Sequence, residues 1–157
     1  MKIEQKLSEL GLKLPSPRKP VGNYVGAVRA GNLVFISGHG PALEKADGEL
    51  ELIRGKVGRD LTLEQGYEAA KLVALHLLRA LKEVIGDLDK VVRVVKLLGM
   101  VNTADGFKDQ PKVINGASDL FVALWGDAGR HARSAVGLYE LPFGIAVEIE
   151  AIVEVRD

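Results

Sequence analysis

The stretch HARSAVGLYELPFGIAVEIEAIVEV, residues 131–155, reads as two β-strands, Arg133–Tyr139 and Ile145–Val155, joined by Glu-Leu-Pro-Phe-Gly. In the second strand Ile145, Val147, Ile149, Ala151, Val153 and Val155 fall on one side. Side chains alternate along a strand, so this apolar row is the face that packs against helices. Ala146, Glu148, Glu150, Ile152 and Glu154 take the other face. In the first strand Val136 and Leu138 are the candidates for the core, which turns Arg133, Ala135, Gly137 and Tyr139 the opposite way. On this reading Arg133 and Glu148 project together from the non-core face, with small residues leaving room beside the guanidinium. Two explanations fit such a pair. One is an ordinary solvated or interfacial ion pair. The other is an anion pocket, in which the arginine fork grips a carboxylate and the glutamate activates water. Spacing alone does not choose between them.

Working outward, Thr62-Leu63-Glu64-Gln65 fits a capping box that opens a helix. Leu63, Tyr67, Ala70, Ala74, Leu77, Leu81 and Val84 follow at steps of three and four, and Gly86 ends the run. KVVRVVKLLGMV, residues 90–101, is the β-branched, apolar run expected of a central strand. A second helix is predicted from Pro111 to Gly126, capped by Asp109 and carrying Val113, Ala117, Leu120, Phe121 and Leu124. Upstream, Val25, Ala27, Leu33, Phe35 and Ser37 alternate around the turn Ala30-Gly31-Asn32, a β-hairpin pattern. The Pro-rich segment 12–23 is an extended lead-in after a short N-terminal helix, and residues 40–60 read as an exposed loop with a short strand near Leu50–Ile53. The order β-β-α-β-α-β-β predicts a single α+β domain over 1–157, a mixed sheet with two helices on one face. The other sheet face is then bare, and another subunit is its simplest cover.

Composition narrows the function. Lys+Arg and Asp+Glu both number 21, so the net charge is zero and no basic field for nucleic acid is built in. Absence of cysteine excludes disulfides, thiolate metal sites and a cysteine nucleophile. The three histidines show no HxH or HExxH spacing, so no metal and no cofactor is expected. MKIEQKLSEL carries acids where a signal peptide has a basic start and an apolar middle, and no 18-residue apolar run occurs, so a cytoplasmic protein without a membrane partner is expected.

The 131–155 stretch resembles the C-terminal signature of the Rid family, also called YjgF or L-PSP: an Arg-Ser strand, a Leu-Pro turn and a closing Glu-Ile-Glu-Ala strand. The resemblance continues through GNYVGAV (22–28), GNLVFISG (31–38) and VINGAS (113–118), covering roughly residues 20–156. The long lead-in and enlarged 40–60 loop are more similar to the YjgF/chorismate-mutase-like branch than to a typical RidA protein. The resemblance implies a chorismate-mutase-like sandwich assembled as a homotrimer, with a barrel-like centre and sites between subunits. It also implies a hydrolase of the 2-iminobutanoate/2-iminopropanoate deaminase type, converting amino-acid-derived enamines and imines to 2-keto acids and ammonia. Arg133 falls at the family's carboxylate-binding arginine and Glu148 at its water-directing carboxylate. Tyr24, Ser37, Gly38, Asn115, Ser134 and Ala135 fall at substrate-lining positions.

His131 stands where RidA proteins commonly have Pro, two residues before Arg133, and is a further candidate for the pocket. His39 stands where Gln is frequent, and His76 is expected at a helix edge without a chemical role. Two other functions fit the same resemblance. One is a non-catalytic trimer binding keto acids as a regulator or chaperone. The other is an L-PSP-type endoribonuclease, against which the flat charge balance counts.

Overall fold

The computed structural model describes residues 1–157. Three helices, α1 (Lys2–Glu9), α2 (Leu63–Ile85) and α3 (Gln110–Trp125), accompany seven strands. These are β1 (Ala27–Ala30), β2 (Leu33–His39), β3 (Ala42–Glu44), β4 (Leu50–Leu52), β5 (Val91–Asn102), β6 (Ala132–Leu138) and β7 (Val147–Val155). The main sheet has the order β1-β2-β7-β5-β6. All its neighbours are antiparallel except β5 and β6. A parallel pair needs a crossover, and α3 supplies it. The result is the expected α+β sandwich, with α2 and α3 packed on one sheet face.

Helix α2 begins as its sequence dictates. The Thr62 hydroxyl accepts from the Gln65 backbone N–H, and the Gln65 side chain takes the Thr62 N–H in return. Its buried face is wider than one stripe, including Ala69, Val73, Leu78 and Ile85, while Val84 is exposed. The width has a cause: α2 is covered by the sheet on one side and by α3 on another. At that helix crossing Gly116 is indispensable, because a Cβ there would lie 2.0 Å from the Tyr67 carbonyl oxygen. The same crossing is tied by the Tyr67 hydroxyl, which donates to Asp119 at 2.7 Å. This bond pushes the phenol pKa up to about 12. Helix α3 has Asp109 at its N-cap with no side-chain bond and proline in its first turn.

The core face of β7 is the predicted one, with Val147, Ile149, Ala151, Val153 and Val155 buried. In β2 Val34 and Ile36 enter the core, and Phe35 on the opposite face is 45% exposed. Three other expectations are corrected. In β6, Leu97 pairs with Arg133, Gly99 with Ala135 and Val101 with Gly137. Leu97 and Val101 are core residues. Paired residues share a face, so Arg133, Ala135 and Gly137 look toward α3, whereas Val136 (41% exposed) looks away. The reversal arises because the open face is itself apolar: Val28, Phe35, Leu98, Met100, Val136 and Ile152 all lie on it. Polarity therefore could not tell one side of β6 from the other. Finally, residues 40–60 hold not one short strand but the hairpin β3–β4. His76 is 3% exposed rather than at a helix edge, and it donates from Nε2 to the Ala42 carbonyl at 2.7 Å, pinning that hairpin to α2.

Replacing Gly116 by Ala gains about 1 kcal/mol of helix propensity. It also sets a methyl group against main chain that cannot rotate aside. Overpacking of this kind costs about 1–3 kcal/mol or more. We expect Gly116→Ala to lower the melting temperature; an unchanged or higher value would refute the close helix approach.

Candidate active site

The sequence-derived site residues form two clusters on opposite sides of the sheet. The first surrounds Glu148. In β7 its register partner across the sheet is Met100, on the face opposite α2 and α3. Its carboxylate lies over the backbone of Gly38: a Cβ at that position would meet Glu148 Oε2 at 2.6 Å. Gly38 sits in a register break of β2, between the pairs Ile36–Ala151 and His39–Ile149. This bulge lets the strand bring bare backbone against the carboxylate. Burial of Glu148, with a smaller contribution from Glu150, raises its pKa above the ordinary carboxylate range. No cation forms an ion pair with it.

A cleft of about 630 Å³ opens above Glu148. Gly38, His39 and Tyr24 line it, with Arg18, Lys19 and Val21 from the lead-in and Leu52, Phe143 and Ile145 on the other wall. Tyr24 is 52% exposed there. Ser37 is adjacent but turned to backbone, its hydroxyl donating to the Val25 carbonyl at 2.6 Å. His39 donates from Nδ1 to the Ser37 carbonyl at 2.6 Å, and burial lowers its pKa, which favours the neutral ring. Phe143, which sequence reasoning passed over, has φ +62 and ψ 10, a left-handed conformation that costs a bulky residue energy. Its carbonyl is held by Arg54 Nε at 2.9 Å. Nearby, Lys56 Nζ binds Asn102 Oδ1 at 3.0 Å, and Asn102 Nδ2 binds the Ile145 carbonyl at 3.1 Å. These bonds fasten the segment after β4 to the start of β7 and so set one wall of the cleft.

The second cluster surrounds Arg133, on the helix side of the edge strand β6. Pro111, Asn115 and Ser118 share one face of α3, four and then three residues apart. Arg133 Nη1 donates to Asn115 Oδ1 at 2.8 Å and to Ser118 Oγ at 3.0 Å, and Nη2 reaches the Pro111 carbonyl at 3.4 Å. His131 is on the same side, 2.9 Å from Ser118 Oγ through Nε2. Ser118 was not a sequence candidate, although its spacing from Asn115 on a helix was the available signal. Ala135 packs against the core on this side. Ser134, paired with Leu98, lies on the open face.

The expectation that Arg133 and Glu148 share a face is therefore overturned: within one chain they stand on opposite faces of the sheet, the parity of β6 having been reversed. Chemically, the Glu148 cluster supplies a proton acceptor in a partly apolar cleft. The Arg133 cluster supplies a fixed cation without an acidic partner. No group of His, Asp or Glu side chains is arranged to hold a metal ion. No helix is long and apolar enough to cross a membrane.

Comparison with known proteins agrees with this fold. A curated relative, protein TCP17 of Trypanosoma cruzi, is 41% identical over 157 residues, spanning 99% of this chain and 96% of the relative. The crystal structure of Atu1372 from Agrobacterium tumefaciens, a protein of unknown function, is 43% identical. It superposes with a TM-score of 0.86 over 98% of this chain and 92% of that one. RidA from the Antarctic bacterium Psychrobacter sp. PAMC 21119 is 30% identical, with a TM-score of 0.56 over 87% of this chain and 92% of that one. Residues 4–145 match the family described as "YjgF/chorismate_mutase-like, putative endoribonuclease". By that match and by these relatives, the chain belongs to the YjgF/chorismate-mutase-like family.

Proposed function

We propose that the protein is an imine hydrolase, taking amino-acid-derived enamines and imines to 2-keto acids and ammonia. The observation that carries this reading is Glu148, a half-buried carboxylate with a raised pKa and no cationic partner at the floor of a cleft. A carboxylate so placed is a general base. Glu148 takes a proton from water as the water oxygen bonds to the imine carbon, and passes that proton to the imine nitrogen to give a carbinolamine. Glu148 then moves the carbinolamine's hydroxyl proton to the amine nitrogen as the C–N bond breaks, releasing ammonia and leaving the ketone. An enamine enters the same sequence after tautomerising to the imine.

Arg133 binds the substrate carboxylate. Since it lies on the opposite sheet face from Glu148 in one chain, the complete site joins Glu148, Tyr24 and Gly38 of one copy to Arg133 and Asn115 of a second. The exposed Val28, Phe35 and Val136 on the open face supply the apolar surface for that assembly. A closed homotrimer provides three such sites.

The assay is keto-acid and ammonia release from freshly generated 2-iminobutanoate, above the uncatalysed rate. Glu148→Gln is expected to lower kcat by about 10²–10⁴-fold. It should also remove an acidic limb that, in the parent, lies above the ordinary glutamate range. The stability effect has the opposite sign. A carboxyl whose folded pKa is raised favours the folded state below its unfolded pKa and loses that contribution as pH rises through the folded pKa. At pH 7 Glu148→Gln should therefore melt higher than the parent while being inactive. Activity retained in Glu148→Gln would remove Glu148 from the mechanism. Binding of 2-oxobutanoate without any imine turnover would instead favour a keto-acid-binding regulator.

Sedimentation equilibrium should give three times the 16.9 kDa chain mass. Introducing a charge at Phe35 (Phe35→Glu) should yield monomers without activity. An active monomer would exclude a site shared between copies.

A further inference from the structure

We infer that Ser118 and His131 are positioning residues for Arg133, orienting its guanidinium so that the Nε–Nη2 edge is left as a two-pronged receptor for a carboxylate. The inference rests on the reading of Arg133 as the carboxylate clamp, and goes beyond it by assigning what aims the clamp.

The hydrogen positions follow from the partners. His131 Nδ1 lies 2.7 Å from the Gly129 carbonyl oxygen, which can only accept, so the ring proton is on Nδ1. In a neutral imidazole Nε2 is then an acceptor. Burial, and secondarily the Arg133 charge, lower the ring's pKa and so favour its neutral form. Phe121 meets the imidazole edge-on, with ring centroids 6.1 Å apart, which fixes its plane. Ser118 Oγ, 2.9 Å from Nε2, must therefore donate to it, which turns a serine lone pair toward Arg133 Nη1 at 3.0 Å. The direction of the whole chain is set: Arg133 to Ser118, Ser118 to His131, His131 to the Gly129 carbonyl.

A guanidinium has five N–H donors. Asn115 and Ser118 take both hydrogens of Nη1, and the Pro111 carbonyl takes one of Nη2. No group of the chain takes the Nε–H, and one Nη2–H is left over; a carboxylate bridging Nε and Nη2 binds such an edge with two hydrogen bonds. All three groups holding Arg133 are neutral, and it forms no ion pair. A structural arginine is ordinarily neutralised by an acid; this one is oriented and left uncompensated.

The test uses the full-length protein and three variants: Ser118→Ala, His131→Leu and His131→Gln. In His131→Gln the amide oxygen reaches near the Nε2 position and can accept the serine proton. Calorimetric binding of 2-oxobutanoate is measured for each, together with KM and kcat for 2-iminobutanoate. Ser118→Ala and His131→Leu are expected to weaken binding and raise KM by about tenfold, as for loss of one oriented bond to a charged group, with a smaller effect on kcat. His131→Gln should recover most of the loss. Binding of 2-oxobutanamide, which lacks the carboxylate, should be weak in the parent and unchanged in the variants. Parent-like binding and KM in Ser118→Ala and His131→Leu overturn the inference while leaving the imine-hydrolase reading intact. A parent that neither binds 2-oxobutanoate nor turns over the imine overturns both. A separate readout needs neither ligand nor variant: ¹⁵N spectra of the parent at pH 7 should show His131 as the Nδ1–H tautomer. An Nε2–H or doubly protonated ring overturns the inference.

Discussion

The parallel register of β5 and β6 is the constraint on which the rest of the molecule depends. Leu97 must enter the core, and Arg133 is its partner, so the arginine is carried to the helix side of the sheet. Once there it meets α3, whose residues 111, 115 and 118 form one face turned toward it. A shift of one residue would place Ser134 on that side and Arg133 among the open-face residues. Such a slip is resisted because it would also move Ala135 and Gly137 off the face where α3 approaches. Gly137 is held to small size there, since a Cβ would meet Gln110 and Thr103 within 3 Å.

The consequence is a division of labour across the sheet. Glu148 and its cleft occupy the open face, with backbone close enough at Gly38 that only hydrogen fits. Arg133 and its neutral acceptors occupy the helix face. Neither charge is paired within the chain: Glu148 forms no ion pair with a cation, and Arg133 none with an acid. The same open face carries exposed Val28, Phe35 and Val136, an arrangement unsuited to water and suited to another copy of the chain. In the function proposed above, assembly and chemistry are parts of one requirement.

Much of this was legible from local pattern. The capping box at Thr62, the helix ends at Gly86 and Gly126 and the alternation of β7 are short-range signals, and the structure reproduces each. Tyr24, Gly38 and Glu148 were recognisable one by one, and they meet at one cleft. The misreadings share a cause. Val136 and Leu138 are apolar and so read as core residues, yet this sheet has a second apolar face, on which Phe35 also lies. Where both faces are apolar, alternation gives the parity of a strand but not its sense. His76 was misplaced because a helix wrapped on more than one side buries positions that a single stripe leaves out.

The sequence by itself determined the helices, the strands of the main sheet, their order and the residue types available for chemistry, because capping, periodicity and turn preference act over a few residues. Only the tertiary structure decided which face Arg133 occupies, that Asn115 and Ser118 hold it, and that Phe143 is strained into the cleft wall. Those outcomes depend on a strand register and on contacts between segments far apart in the chain. No local preference encodes them; they follow from satisfying the core on both sides of β5 at once.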